Sequence, residues 1–241
     1  MITINQCYLG HNGSKYKGEM SEINYYLIPG MGADHRIYQK FNLEHGNVHY
    51  LNWVDARDSR TMTDFAHIVA ERIKTKNNVI IGSSMGGMMS VELSRIVNPL
   101  ATILISAPTG VHQFPRILKA VKFSKIHKAV SPKTIPYFYK LADTFMGFKS
   151  QQQREMFYEM IDGLGPKFIH FSVKAVLEWT NTEEPHGKYI QIVGSKDVLF
   201  DYRKMKNPIV LQDGGHFSAF DRGEEVSKII NDYIQKEVLH I

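Results

Sequence analysis

Residues 77–97 read NNVIIGSSMGGMMSVELSRIV, and the contrast between the two ends of this stretch decides the fold. Residues 78–81 form a short apolar run of the kind a buried strand makes, while the apolar residues after Gly87 recur at helical spacing. Between them Gly82-Ser83-Ser84-Met85-Gly86-Gly87 leaves room for a sharp turn and nothing longer. A strand that passes this abruptly into a helix is half of a βαβ crossover, and it predicts a parallel sheet flanked by helices.

The same alternation continues on both sides. Residues 23–28, 48–53, 101–106, 189–193 and 208–211 are further strand candidates rich in Ile, Val, Tyr or Leu, each bounded by turn residues. Residues 61–73, TMTDFAHIVAERI, and the final segment from Glu224 carry apolar residues at helical spacing, with Thr61 or Thr63 as an N-cap. The fold expected is therefore α/β, a doubly wound and mostly parallel sheet. With 241 residues, one domain is the default. Ahead of the first parallel strand, a hairpin across Asn12-Gly13 is expected. From 110 to 187 the alternation lapses into helical segments punctuated by Pro115, Pro132, Pro136 and Pro166. Long structureless loops are uncommon in compact domains, so this stretch reads as an inserted helical cap.

The turn after the first quoted strand matches G-x-S-x-G in its strand-turn-helix setting. Such a turn forces Ser84 into a strained backbone conformation, and glycines flank it where a Cβ would clash. The serine is presented at a helix N-terminus, whose amides and dipole favour the negative charge that develops in acyl transfer. A serine needs a base. Among eleven histidines, His216 follows the strand at 208–211 within QDGGHFSAF, at a strand's C-terminal end where open α/β sheets bind ligands. Asp197, in VGSKDVLF after the strand at 189–193, is the carboxylate expected to hold the imidazole; Asp201 and Asp213 are its rivals. The chain order Ser84, Asp197, His216 is that of a strand-end triad. The backbone amides of Met31, in Pro29-Gly30-Met31-Gly32, and of Met85 are the expected oxyanion donors. Candidate pocket residues are Gly30, Phe138, Tyr139, Phe145, Trp179 and Phe217, beside Met31 and Met85.

Composition narrows the rest. A content of 43% hydrophobic and 22% charged residues is that of a globular chain. No apolar run is long enough for a spanning helix, no secretory signal is evident, and a cytoplasmic location is the expectation. A net charge of +5 is too mild to indicate nucleic acid. One cysteine, Cys7, excludes an internal disulfide, and no zinc-ligand spacing is present. Between Glu92 and Asp143 there is no acidic residue, whereas Arg116, Lys119, Lys122, Lys125 and Lys128 recur every three residues. They belong to an amphipathic helix whose apolar side carries Phe114, Ile117, Leu118 and Val121. Its basic side is a solvated surface or a steering patch for anionic substrates.

These residues resemble the α/β-hydrolase superfamily from about Ile23 to the C-terminus. The resemblance is carried by PGMGADHRIYQKF (29–41), IIGSSMGGMM (80–89), VGSKDVLF (193–200) and GGHFSAFDR (214–222). The first loop is more often His-Gly in the superfamily, and proline stands there at 29. The PGMGAD form with GGHF is similar to a small bacterial branch. The resemblance implies an α/β-hydrolase fold and a serine triad, with no cofactor and no particular substrate; Ser84 argues against the dehalogenase branch, whose nucleophile is aspartate. The expected activity is hydrolysis of a small or medium ester, thioester or similar carbonyl compound. A carbon–carbon bond hydrolase or lyase on the same triad, and a non-catalytic ligand-binding protein, are the alternatives.

Overall fold

A computed structural model describes residues 22–124 and 135–240. Strands β1 (Ile23–Ile28), β2 (Gly46–Tyr50), β3 (Asn78–Ser83), β4 (Ala101–Ile105), β5 (Tyr189–Gly194) and β6 (Ile209–Leu211) form one sheet in the order β2-β1-β3-β4-β5-β6. Every pairing is parallel. Helices α1 (Met62–Ala70) and α2 (Met85–Val97) follow β2 and β3, and α6 (Ser218–Asp221) and α7 (Gly223–Ile234) follow β6. No described helix is long and apolar enough to cross a membrane.

Burial on both faces explains why the inner strands β1, β3, β4 and β5 are mainly apolar runs, whereas β2, GNVHY at the edge, has no buried residue. Tyr26 and Ile28 of β1 point into one core cluster with Phe65 and Val69 of α1 and Met88 and Met89 of α2. Their neighbours Tyr25 and Leu27 point into the other, with Ile230 and Ile234 of α7 and Ile37. Helices thus cover both faces. Because β1 is followed by β2 on one side and paired with β3 on the other, the strand order reverses between β1 and β3. Their C-terminal ends flank the crevice where such sheets bind ligands.

Some boundaries differ from the sequence pattern. Strand β2 pairs with β1 from Ile23↔Gly46 to Leu27↔Tyr50, so it lies earlier than residues 48–53. Trp53 is buried by other contacts, stacking on Phe65 and Phe168. Helix α1 starts at the expected cap: Thr61 Oγ1 accepts the Asp64 amide at 3.0 Å and the Asp64 carboxylate accepts the Thr61 amide at 3.0 Å. It ends at Ala70, before Ile73, where the amides of Arg72 and Ile73 bond three residues back, to Val69 and Ala70.

Between β4 and β5 lie α3 (Arg116–Ser124), α4 (Ile135–Met146) and α5 (Gln151–Glu178). Gly165, at φ 73°, interrupts α5 just before Pro166, which lacks the amide that a continuous helix requires. Phe157 and Ile161, ahead of the break, pack into one core cluster, and Phe168 and Val176, beyond it, into the other. Helix α3 is apolar over a narrower face than its spacing predicts. Phe114 just before it and Leu118 join the core cluster, but Ile117 is 56% exposed. The Asn12-Gly13 hairpin, Cys7, Lys125, Lys128 and Lys133 lie outside the described residues.

Candidate active site

Ser84 stands at the turn between β3 and α2 with φ 53° and ψ −117°, a left-handed conformation that costs a non-glycine residue roughly 1–3 kcal/mol. Its surroundings hold it there. The Ser84 amide donates to Ile105 O of β4 at 2.9 Å, and its carbonyl accepts the amides of Gly87 and Met88, which start the helix. The flanking glycines answer to close approaches: a Cβ on Gly82 would run into the Gly86 carbonyl, and one on Gly86 into the carbonyls of Ile28 and Pro29. Strand β1, the turn and α2 therefore touch main chain to main chain.

Asp197 and His216 come from loops laced together at the far side of the sheet. Beyond β5 and β6, Ser195 N donates to Leu211 O and Lys196 N to Gly214 O, each at 2.9 Å, and Asp213 N donates to Ser195 Oγ at 2.8 Å. A Cβ on Gly194 would strike the Gly214 carbonyl. His216 Nδ1 is 3.1 and 3.0 Å from the two Asp197 oxygens, and its Nε2 is 3.0 Å from Ser84 Oγ. Both side chains are nearly sealed from solvent, at 1% for His216 and 0% for Asp197. Burial raises the Asp197 carboxyl, but His216 and the amides of Phe200 and Leu199 outweigh it, so its pKa lies below the usual aspartate value. An ionised carboxylate can only accept, which puts the imidazole proton on Nδ1 and aims the Nε2 lone pair at Ser84. The rival carboxylates are engaged elsewhere. Asp201 caps the turn at Tyr202–Lys204 and pairs with Arg203 at 2.8 Å, and Asp213 is an exposed partner of Lys196 at 2.7 Å.

The loop after β1 is held from behind. Gly30 O accepts the Trp53 indole N–H at 2.9 Å and the Ala33 amide at 3.2 Å, and Gly32 takes the left-handed φ of 78° that turns the chain. Among the described residues no acceptor takes the amides of Met31 or Met85. Both residues line the cavity above Ser84. An unmade donor pair beside a nucleophile suits a developing oxyanion.

That cavity, about 100 Å³, has walls from two sources. Met31, Met85, Met88, Leu199 and Phe200 come from the strand ends and α2, and Leu118, Ala142, Phe145, Met146, Phe157 and Val176 from α3, α4 and α5. Among the described walls Ser84 contributes the single polar side chain. A smaller space of about 20 Å³ lies between Gly30, Met31, Ser84, His216 and Phe217. A larger cleft of about 570 Å³, between residues 53–59 and α5, includes neither Ser84 nor His216 in its walls, so size alone does not locate the chemistry.

Two expected pocket residues point elsewhere. Tyr139 donates its hydroxyl to Asp162 and packs edge-on against Tyr158, and the Trp179 indole N–H donates to the buried Glu92 at 2.7 Å. Phe138 lies outside the residues whose side chains are described. The walls that sequence reasoning missed include Met88, one helical turn beyond Ser84, and Leu199 and Phe200, which directly follow the acid loop. Their spacing from Ser84 and Asp197 was a usable signal. Nothing comparable marked Leu118, Ala142, Met146, Phe157 or Val176. Among the described residues no group of three or more His, Cys, Asp or Glu side chains could hold a metal ion.

A parallel sheet wound on both faces, with serine, histidine and aspartate joined at its strand ends, defines the hydrolase class. The model of the alpha/beta hydrolase family matches residues 25–229, and the chain belongs to that family. No curated protein matches it in sequence. Solved structures share its fold. A type II thioesterase of the yersiniabactin biosynthetic pathway, YbtT, superimposes with a TM-score of 0.64 at 16% identity, covering 92% of this chain and 95% of its own. A thermophilic esterase from Thermogutta terrifontis gives 0.61 at 16%, covering 89% and 90%. A lipase-esterase related protein from Clostridium acetobutylicum gives 0.65 at 16%, covering 90% and 96%.

Proposed function

We propose that the protein is a serine hydrolase that opens an ester or thioester through an acyl-enzyme. Ser84 Oγ attacks the carbonyl carbon while His216 Nε2 takes its proton, and the Met31 and Met85 amides receive the oxyanion. Collapse of the tetrahedral adduct breaks the bond to the leaving oxygen or sulfur, which departs with the proton from His216. Water then repeats the sequence: His216 takes its proton, the hydroxide adds to the acyl carbon, and Ser84 leaves as the hydroxyl. Asp197 keeps the imidazole in the required tautomer and stabilises its charged form without taking the proton.

The observation that carries this reading is the bridge of His216 between Asp197 and Ser84, at 3.0 Å on each side. The folds of the esterase and thioesterase neighbours support the class. Residues 110–187 act as the cap in this reading, supported by the cavity walls from α3, α4 and α5. The test is labelling with a fluorophosphonate followed by peptide mapping. Modification at Ser84, lost in Ser84→Ala while the melting curve stays near wild type, is expected. An unlabelled wild-type protein, or an alanine variant that hydrolyses esters at the wild-type rate, removes the assignment.

A further inference from the structure

We infer that the cavity beside Ser84 is an acyl pocket that selects a short, uncharged aliphatic group of about four carbons beyond the carbonyl. This rests on the acyl-enzyme reading above and adds the substrate class to it.

The first step is to decide which half of the substrate enters. The leaving atom must collect its proton from His216 Nε2, so the leaving group has to sit against the imidazole. His216 lines the small space next to Gly30 and Met31 and is absent from the walls of the 100 Å³ cavity, although Ser84 borders both. A carbonyl carbon bonded to Ser84 therefore sends its leaving group past His216 and its acyl chain into the cavity.

The second step concerns charge. Apart from Ser84 no described wall residue carries a polar side chain, and none of them is charged. Two basic side chains of α3 are engaged with main chain: Lys122 Nζ donates to Trp179 O at 2.8 Å and Lys119 Nζ to His112 O at 3.3 Å. A carboxylate on the acyl chain would lose its water and find no donor among the described walls except the Met31 and Met85 amides, which the oxyanion occupies, so a charged acyl group is rejected.

The third step is size. An apolar cavity of roughly 150 Å³ takes benzene, with six carbons. By proportion, about 100 Å³ takes about four. Met88, 1% exposed and one turn of α2 beyond Ser84, and Val176 of α5 both line the cavity. With Met31, Met85 and Met146 also in the wall, flexible thioethers can adjust around a methyl branch.

The test is a series of p-nitrophenyl esters from acetyl to dodecanoyl, with a monosuccinyl ester for charge. Burial of each methylene is worth ~0.8 kcal/mol, so kcat/KM should rise about fourfold per carbon. The maximum is expected between butanoyl and hexanoyl, with a fall of about tenfold or more by decanoyl and a succinyl rate about a hundredth of the butanoyl rate. Met88→Ala should move the optimum to longer chains and Val176→Phe to shorter ones, each checked by circular dichroism, so that either suffices if the other does not fold. Binding of methyl ketones from 2-butanone to 2-dodecanone to Ser84→Ala, read by thermal stabilisation, reports the pocket without chemistry and should peak near 2-hexanone. Ser84-dependent turnover with a flat or long-chain profile, or with succinyl favoured, overturns the pocket assignment and leaves the hydrolase reading standing. If no ester is turned over, the hydrolase reading falls, and the ketone series still decides the pocket: a peak near six carbons upholds it and a featureless series overturns it.

Discussion

Gly86→Ala perturbs the site without altering any polar group in it. The new Cβ would fall far inside van der Waals contact with the carbonyl oxygens of Ile28 and Pro29. Comfortable C···O contacts begin near 3.3 Å, so the end of β1 has to retreat by about an ångström. Main chain cannot swing aside as a side chain does. The displaced segment leads directly into Gly30 and Met31, and a misplacement of about 1 Å can reduce a rate ~10²-fold. Loss of one oxyanion donor reduces kcat by ~10²–10³. Turnover of a butanoyl ester should therefore fall by about two to three orders of magnitude in kcat. Overpacking costs roughly 1–3 kcal/mol, and at about 2–4 °C per kcal/mol for a chain of this size the Tm should drop by roughly 2–12 °C. Gly215→Ala serves as the control, because a Cβ there meets nothing within 4 Å. Its rate should stay close to that of the wild type. A folded Gly86→Ala protein with wild-type kcat, or equal losses in both variants, would refute the idea that the Ile28–Pro29 contact sets the oxyanion donor.

Asp197→Asn should lower kcat by ~10⁴, as when a triad acid loses its hold on the histidine tautomer, while Asp201→Asn, which only loosens a capped turn, should change it little; the reverse order in steady-state assays would transfer the acid role. Trp53→Phe keeps the aromatic contacts but removes the N–H held by Gly30 O, and a hydrogen bond worth about 1 kcal/mol corresponds to about a fivefold drop in kcat with KM nearly unchanged; a change confined to KM would contradict this. The Asp197 pKa is lower in the folded state than in the unfolded one, so its ionised form adds stability above the unfolded value, and that contribution disappears as pH falls through the folded value. The melting temperature of Asp197→Asn should accordingly depend less steeply on pH below about 4 than that of the wild type, and parallel curves would show that the carboxylate is not stabilised by folding.

Sequence patterning located what depends on local chain geometry. Every strand but β2 centres on a short apolar run and was visible as one, while β2, GNVHY, was marked only by its overlap with the candidate at 48–53; the turn around Ser84 was legible because glycines stand wherever main chain meets main chain. The end of β2 was not. Leu51 keeps one ladder bond, its amide donating to Leu27 O at 2.9 Å, whereas Trp53 continues the apolar pattern but packs only as a side chain, and composition does not separate a paired residue from a merely buried one. Asp197 was singled out by its place after β5, and its contact with His216 supports that reading, while Asp201 and Asp213 lie in turns of their own. The cavity walls were mostly hidden: Tyr139 and Trp179 are aromatic like Phe145, yet their polar atoms find Asp162 and Glu92 and turn the rings away. Which face of an inserted helix meets the site is settled by tertiary packing, and helical spacing alone leaves it open.

The division of labour within this site bears on how such a protein changes over generations. In the proposed mechanism the reacting groups are positioned by backbone touching backbone, Gly86 against Ile28 and Gly194 against Gly214, where almost any replacement is a collision. Half of the cavity walls are side chains of α3, α4 and α5, spliced between β4 and β5 and remote in sequence from every group that reacts. Appetite and chemistry are thus written in different parts of the gene. On the proposed acyl-enzyme reading, a lineage could revise which acyl group it accepts through α3, α4 and α5 without touching the backbone contacts around Ser84.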